Sequence, residues 1–452
     1  MAHSPGSTRS TLPWKSTLAA VAGACLMMTA MGPAHAADDG LAELPPAEQA
    51  QVLEEAGVDQ SDLERDRALK QLSETTDTDF YATPAQLPAN NGDLVRQEPA
   101  KFYLDPVKLI QPNAKATRIM YRTTSSHGQA VGTTGTVLAS NAAWPKKGPR
   151  PLVVFSPGTQ GMADRCAPSR QMALGMEYEG LSLTGLINAG YSVVVPDYIG
   201  LGTEGPHTYM NRVDQAHAVL DAGRAAQRAG IPGIAAETPV AMVGYSQGGG
   251  ATASAAETAP TYAPELKIKT AWAGAPPADL PATGKHIDST LFSGLAFYVM
   301  GAATEAGADA RGELNEDGLA RYEKAQESCV INAVLDHALV PTSSLTKDGS
   351  TFTQLLGQPE LAGYLAQQTN GTEGRRPAVP VRIAHGPADD VVPYRAGREL
   401  AQRWCAAGTN VSFQTLVTPT HLGGYLEGVP AMLTHLDARF NGLPQVSSCW
   451  RL

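Results

Sequence analysis

Residues 239–256 read PVAMVGYSQGGGATASAA, in which an apolar run leads directly into a Gly-x-Ser-x-Gly motif. The run at 239–243 is typical of a buried strand, and the small residues after Gly248 favour a helix. A strand that enters a helix through this motif forms a nucleophile elbow, where a strained turn exposes the serine hydroxyl. The glycines are needed because strand and helix approach too closely for a Cβ atom. We therefore predict that Ser246 is a nucleophile and not an idle serine in a glycine-rich turn.

Short apolar runs alternate with helical stretches on both sides of this motif. The runs lie at 151–155, 191–195, 270–273, 379–384 and 411–417, and the helical stretches at 171–189, 213–229 and 396–407. This alternation predicts an α/β fold with a mostly parallel sheet and helices on both of its faces. Earlier runs at 116–122 and 132–138 predict an antiparallel hairpin at the edge of the sheet. In such sheets, ligands bind at the carboxyl ends of the strands.

The alternation stops between residues 280 and 376. This stretch contains an apolar piece at 291–303, an acidic helical piece at 308–324 and a polar tail. We interpret it as a cap inserted after the sixth predicted strand, and not as a second independent domain.

A nucleophilic serine requires a base, and the base requires a group that orients it. After a nucleophile elbow, the expected chain order is serine, acid, histidine. The turn HGPADDVVP at 385–393 follows the next-to-last predicted strand and offers two carboxylates, of which we prefer Asp389 to Asp390. Asp197 ends an earlier strand and is a further alternative, although a role in shaping its own loop fits it better.

The candidate base is His421, in the segment TPTHLGG at 418–424, which follows the final predicted strand. We expect it on a loop that leads into the last helix. His435 falls inside that helix and His385 precedes the acidic turn, so both favour structural roles. The other candidates fall far from the predicted strand ends or inside the cap: His207, His217, His286 and His337.

Attack of a serine on an ester carbonyl creates an oxyanion, which preorganised N–H groups must stabilise. One donor is expected to be the backbone N–H of the residue after the nucleophile, Gln247. The second is expected in the loop SPGTQG at 156–161, with Thr159 as the first choice and Gln160 as the alternative.

The first 36 residues have the pattern of a signal peptide. Arg9 and Lys15 precede a run of apolar and small residues at 16–31, and Ala34-His-Ala36 is a small-x-small cleavage site. A lipoprotein signal through Cys25 is a less favoured alternative. Because no later segment is apolar for long enough to span a bilayer, we expect an exported and released protein. Residues 37–79 then form a polar arm, and residues 80–452 the folded domain.

Charge and cysteine content restrict the function further. The formal charge of −10 becomes −12 without Arg9 and Lys15, which argues against nucleic acid and anionic membrane faces as partners. Four cysteines remain outside the predicted signal peptide, an even number that suggests two disulfides in an exported chain, with three possible pairings. Their spacing does not fit a metal site, and a catalytic thiol is the rival interpretation. They are Cys166, Cys329, Cys405 and Cys449.

Several motifs together resemble those of the secretory lipase family typified by yeast lipase A, from about residue 80 to residue 449. They are the elbow, the acidic turn, SPGTQG at 156–161 followed by DRCAPS at 164–169, and DYIGLG at 197–202 before a helix that carries Leu220-Asp-Ala222. The resemblance implies an α/β-hydrolase fold with a helical cap at about 280–376, no cofactor or metal, and hydrolysis of acyl esters such as triacylglycerols.

Carried over to this sequence, the resemblance implies a triad of Ser246, Asp389 and His421. It also implies disulfides between Cys166 and Cys329, which would tie the cap to the core, and between Cys405 and Cys449, which would fix the C-terminus. The sequence departs from the family at one point, since the yeast enzyme has an acidic side chain in the oxyanion loop where this chain has Thr-Gln at 159–160.

The expected partner is therefore an acyl ester or lipid. The apolar cap segment at 291–300 would line the acyl channel and contact a lipid surface transiently, although ordinary burial explains it equally well. A monomer is favoured. Two rival classes remain, an exported serine peptidase of the same fold and an inactive binding or cell-wall protein. The first lacks an evident charged cluster to capture a peptide terminus, and the second does not explain why all three triad residues are present.

Overall fold

The computed structural model describes residues 78–452. The predicted signal peptide, Cys25 and nearly all of the predicted arm at 37–79 lie outside the described residues. None of the helices within 78–452 is both long enough and apolar enough to cross a bilayer.

A single sheet of nine strands forms the centre of the described chain, in the order β1-β2-β3-β5-β4-β6-β7-β8-β9. Strands β4 to β9 run parallel to one another, whereas β1, β2 and β3 pair in antiparallel fashion and β3 joins β5 antiparallel. The strands are β1 (Leu94–Ala100), β2 (Ala114–Thr124), β3 (Ala130–Ser140), β4 (Leu152–Ser156), β5 (Ser192–Pro196), β6 (Val240–Tyr245), β7 (Ile268–Gly274), β8 (Val381–His385) and β9 (Val411–Thr415).

Helices cover both faces of this sheet, which confirms the predicted α/β class. Helices α4, α5 and α12 contribute to the apolar cluster on one face, and α2, α3 and α13 to the cluster on the other. The helices of the described residues are α1 (Thr78–Tyr81), α2 (Pro168–Leu174), α3 (Gly180–Asn188), α4 (Arg212–Arg228), α5 (Gln247–Tyr262), α6 (Leu280–Ile287), α7 (Leu295–Glu305), α8 (Glu316–Gln326), α9 (Val330–Asp336), α10 (Phe352–Leu355), α11 (Pro359–Gln367), α12 (Tyr394–Ala406) and α13 (His421–Phe440).

Two predictions about elements are wrong. Strand β1 was not expected, because its sequence LVRQEPA is largely polar and half exposed at the sheet edge, so it lacks the apolar signal of the inner strands. Because β1 adds one strand before it, the predicted cap follows the seventh strand of the chain and not the sixth. The single helix expected at 171–189 is divided into α2 and α3, because Gly175 ends α2 in a left-handed conformation with φ 73°.

Helices α6 to α11 fill the connection between β7 and β8, and we call residues 280–367 the helical insertion. It has a separate apolar core, in which Phe297, Tyr298 and Phe352 are fully buried. Residues after β8, among them Val391 and Val392, contribute to the same core. The insertion therefore packs directly on the segment that carries the candidate acid.

Candidate active site

Ser246 lies at the turn between β6 and α5 in a left-handed conformation, with φ 59° and ψ −126°. This backbone geometry is rare for a residue with a side chain and costs about 1–3 kcal/mol, a strain that is typical of functional sites. The flanking glycines are sterically required. A Cβ atom at Gly244 would clash with the carbonyl oxygen of Gly248, and one at Gly248 with that of Ser156. The elbow geometry that the sequence predicts is therefore present.

The Asp389 carboxylate binds the imidazole of His421. Its two oxygens lie 2.8 and 2.9 Å from Nδ1, and Oδ1 also accepts the backbone N–H groups of Val391 and Val392 at 3.0 and 2.8 Å. Burial acts to raise the pKa of Asp389, but its contacts with His385 and His421 outweigh burial and hold the pKa below its usual value. The group is therefore an anion that can orient and stabilise an imidazolium.

Asp390 has a different role, because its Oδ1 accepts the backbone N–H of His421 at 2.7 Å. The structure thus brings Asp389 to the ring and Asp390 to the main chain. His421 is the first residue of α13, so the expectation that it precedes the helix on a loop is wrong. The other ring nitrogen, Nε2, is buried and makes no hydrogen bond within residues 78–452.

The Ser246 hydroxyl is consequently not hydrogen-bonded to His421 in this conformation. Such bonds are often long without substrate and shorten in the Michaelis complex. The two residues are nevertheless held by one side chain, since Tyr245, next to Ser246, donates its hydroxyl proton to the carbonyl oxygen of His421 at 2.9 Å. The Tyr245 ring also lies 5.0 Å from the imidazole, centroid to centroid.

Ser246 opens into a cavity of about 50 Å³. Thr159 and Gln247 line it beside the serine, and the helical insertion supplies an apolar wall that includes Leu280, Ile287, Leu295 and Val299. Within the described residues, the backbone N–H groups of Thr159 and Gln247 donate no hydrogen bond to the protein. Because both residues line the cavity together with the serine, their amides are the candidate oxyanion donors. Gln160, the alternative, is not among the lining residues, and its side-chain amide donates to Glu177 at 3.2 Å.

Some contacts near the site were missed by sequence reasoning. His286 lies on α6 of the helical insertion, as its place in the predicted cap implies, but its Nε2 lies 3.0 Å from the carbonyl oxygen of Asp389, a contact that the sequence did not indicate. Tyr209 binds the Thr159 hydroxyl at 2.8 Å, and Glu177 and Glu179 contact the loop around Thr159. For Glu177 and Glu179, the sequence offers one signal, which is that two acidic residues interrupt an otherwise apolar stretch.

The remaining candidates have structural surroundings. Asp197 is fully buried and accepts hydrogen bonds from Ser169 and Thr134, which fits a role in shaping its loop. His435 is buried, contacts Thr270 at 2.9 Å, and has a pKa that burial and nearby arginines lower to about 3.

The four cysteines form two disulfides, Cys166–Cys329 and Cys405–Cys449, which are the pairings that the resemblance implies. Cys166 lies before α2 and Cys329 precedes α9, so the first disulfide joins the helical insertion to the rest of the described chain, which we call the sheet domain. In residues 78–452, no group of three or more His, Cys, Asp and Glu side chains is arranged to hold a metal ion.

Comparison with known proteins gives consistent results. Residues 167–448, more than half of the chain, match the family model described as secretory lipase. The chain is 28% identical over 382 residues to a probable inactive lipase of Mycobacterium tuberculosis, covering 82% of this chain and 83% of that protein. It is 29% identical over 391 residues to a secreted triacylglycerol lipase of Malassezia globosa, covering 82% and 80%. The X-ray structure of Candida antarctica lipase A superposes with a TM-score of 0.69 at 23% identity, covering 82% of this chain and 87% of that one.

Proposed function

Because the chain belongs to the secretory lipase family of α/β hydrolases and is an enzyme of the lipase and esterase class, we propose that Ser246, His421 and Asp389 form its catalytic triad. One observation carries this proposal most directly. An imidazole fixed by a buried carboxylate has its second nitrogen free, and the serine on the strained elbow is tied to the same imidazole segment through Tyr245.

In the proposed mechanism, Nε2 of His421 removes the hydroxyl proton of Ser246 as Oγ attacks the acyl carbon. The carbonyl oxygen becomes an oxyanion that accepts hydrogen bonds from the amides of Thr159 and Gln247. Collapse of this intermediate breaks the ester bond, and the alcohol leaves with the proton from His421. Water then hydrolyses the acyl-enzyme by the same steps in reverse, with Asp389 orienting the imidazole throughout.

The substrate is proposed to be a lipid ester with an apolar acyl chain. Aliphatic side chains of the helical insertion form much of the cavity wall. A relative that is 29% identical to this chain is named a triacylglycerol lipase. The helical insertion forms part of the cavity wall, so its movement at a lipid surface would widen the cavity for a long acyl chain.

Two observations favour this function over its rivals. None of the residues that line the cavity in the described chain is charged, so nothing there would capture a peptide terminus as an exported peptidase requires. The relative named a probable inactive lipase raises the alternative of an inactive protein. Against that alternative, this chain combines a strained serine, a free imidazole nitrogen and two free amides. The pattern at 1–36 and the family name support secretion.

The experiment that tests the proposal measures hydrolysis of short-chain and long-chain p-nitrophenyl esters and of emulsified triacylglycerol by the wild type and by Ser246→Ala. We expect kcat/KM on every ester to fall at least about 10³-fold in the variant while its thermal unfolding is unchanged. Retention of the wild-type rate in Ser246→Ala would contradict the triad. Cleavage of peptides without cleavage of esters would favour the peptidase.

A further inference from the structure

Three consecutive residues before α3 hold three consecutive residues of the oxyanion loop, which we define as residues 157–160. Glu179 Oε2 accepts the backbone N–H of Gly158 at 2.7 Å. The Tyr178 hydroxyl donates to the carbonyl oxygen of Thr159 at 3.1 Å. Glu177 Oε1 accepts from the side-chain amide of Gln160 at 3.2 Å. Each residue of the segment 177–179 therefore contacts one residue of the loop, and the order of the contacts is reversed along the chain.

These contacts fix the peptide groups on both sides of the Thr159 amide. The peptide group before it is held at its N–H by Glu179 and at its oxygen by Tyr198, which donates to Pro157 at 2.9 Å. The peptide group after it is held at the carbonyl oxygen of Thr159 by Tyr178. Because peptide groups are planar, holding these two fixes the positions of the Cα atoms of Gly158 and Thr159. The group between them carries the Thr159 N–H, which donates no hydrogen bond within the described residues.

The two glutamates are also linked to each other, since the backbone N–H of Glu179 donates to Glu177 Oε1 at 3.0 Å. Glu177 is 7% exposed and Glu179 is 1% exposed. Neither forms an ion pair with a basic residue within 78–452. Two neighbouring carboxyl groups that have no basic partner in the described part of the chain cannot both ionise without a large free-energy cost in such surroundings.

Resting on the proposed function, we propose that the Glu177 and Glu179 carboxyl pair positions the Thr159 amide for oxyanion binding, and that catalysis weakens when the pair gains negative charge. Neither glutamate is expected to touch the ester, so both act through the loop as positioning residues. An additional buried anion behind this loop would oppose the charge that develops on the oxyanion in the transition state.

The electrostatic surroundings determine the pH at which this charge appears. Burial raises the pKa of Glu177 to about 7, and burial together with Glu177 raises the pKa of Glu179 well above its usual value. The pair is therefore protonated in weakly acidic solution and gains charge as the pH rises above about 7. Four other titratable groups interact electrostatically with the pair, namely Asp197, Tyr178, Tyr198 and Tyr425. Arg170 interacts with Asp197.

The first arm of the test compares Glu179→Leu with Glu179→Gln. Leucine removes the acceptor for Gly158, so kcat on a short p-nitrophenyl ester is expected to fall about 10- to 100-fold with little change in KM, because a misplaced donor fails mainly in the transition state. Glutamine retains an acceptor oxygen and should restore kcat to within about threefold of the wild type. All rates are normalised to the amount of serine labelled at completion by a p-nitrophenyl phosphonate.

Glu257→Leu is the matched control. Glu257 is also buried and accepts a backbone N–H, from Gly371 at 2.6 Å, but it bonds Trp404 and lies outside the cavity lining. This variant should lose stability and keep its normalised kcat. If Glu179→Leu behaves like Glu257→Leu, with lower stability and normal kcat, positioning by Glu179 is overturned.

The second arm uses the pH dependence of kcat/KM between about pH 6 and pH 9. In the wild type, the rate should decline above about pH 7 as Glu177 ionises, and Glu177→Gln should remove that decline. An unchanged alkaline decline in Glu177→Gln would overturn the proposal, even if Glu179→Leu fails to fold. Ser246→Ala separates the two proposals. Activity in Ser246→Ala contradicts the proposed function, whereas an inactive Ser246→Ala with normal glutamate variants contradicts only the positioning role.

Discussion

The sheet domain and the helical insertion both border the cavity at Ser246, but they are held in place by different means. In the sheet domain, the candidate acid and base are fixed by main-chain hydrogen bonds, such as those from Val391 and Val392 to Asp389 and from His421 to Asp390. The insertion contributes aliphatic side chains, and a disulfide and a short backbone pairing at Gly161 and Cys329 connect it to the residues that follow the oxyanion loop.

This difference separates chemistry from substrate choice. A proton relay tolerates little displacement, so it benefits from a backbone that cannot shift. An acyl chain needs only an apolar surface of the right shape, and a packed helical unit can move to provide it. Changes in the sheet domain should therefore affect all esters equally, whereas changes in the insertion should affect long chains more than short ones.

The largest expected effect lies in the sheet domain, at Asp389. Asp389→Asn should lower kcat about 10⁴-fold on short and long esters alike, because the amide no longer stabilises an imidazolium and favours the wrong tautomer. Measurement of kcat on p-nitrophenyl acetate and p-nitrophenyl palmitate checks this.

Asp390→Asn is the control for that change, since its side-chain oxygen still accepts the backbone N–H of His421. We expect a loss of less than about tenfold. An equal loss in the two variants would mean that the carboxylates share the role of the acid.

The next effect concerns the link between the two regions. Replacing Cys166 and Cys329 together by serine should lower the free energy of unfolding by about 2–5 kcal/mol. It should also reduce activity, because the backbone contact from Val330 to Gln160 at 2.8 Å lies beside this disulfide and supports the oxyanion loop.

The matched double variant replaces Cys405 and Cys449, which close a separation of 44 residues against 163 for the first pair. Chain entropy makes its stability loss about 1 kcal/mol smaller. Its activity per folded molecule should remain normal because no residue of α12 or of the C-terminus lines the cavity. Equal loss of activity in both double variants would show that the first disulfide has no special relation to the site.

The contrast between the sheet domain and the helical insertion also explains which features can be predicted from the sequence. The elbow, the acidic turn and His421 each follow a strand at a short and regular distance, and the strands carry a strong apolar signal. Local pattern therefore places Ser246, Asp389 and His421 at one edge of a sheet. The sequence does not predict strand β1, because a half-exposed strand at the sheet edge does not require a continuous apolar run.

Contacts between segments that are far apart in the chain are harder to predict. His286 contacts the Asp389 carbonyl from α6, and Glu179 contacts Gly158 across a separation of 21 residues. Tyr209 contacts Thr159 across 50 residues. No periodicity in the sequence specifies which of these residues meet, since tertiary packing determines the path of the segments between them.

A smaller effect is expected from the pH dependence of stability. The folded protein keeps a proton on Glu177 until about pH 7, whereas an unfolded glutamate, with a pKa near 4.5, releases it earlier. The wild type therefore loses stability as the pH rises from about 4.5 to about 7, on the order of 3 kcal/mol, and the loss stays constant above that range.

Glu177→Gln has no proton to lose at this position and should gain stability relative to the wild type over the same window. Urea denaturation at several pH values measures the difference. If the difference in free energy of unfolding between the two proteins does not vary with pH, the pKa of Glu177 is not raised. Any loss of rate at alkaline pH must then come from another group.

The smallest effect, and the one that most directly tests the division between the regions, concerns the insertion. Leu295 of α7 is buried and lines the cavity, so Leu295→Trp should obstruct an acyl chain there. Hydrolysis of p-nitrophenyl palmitate should fall about tenfold while that of the acetate changes less than about threefold, because the indole occupies space that only the long chain would fill. Ile331→Trp, at a site on α9 that is 52% exposed and outside the cavity lining, is the matched control and should leave both rates unchanged. If Leu295→Trp lowers both rates equally, the insertion acts on the chemistry itself, and the assignment of substrate choice to it is wrong.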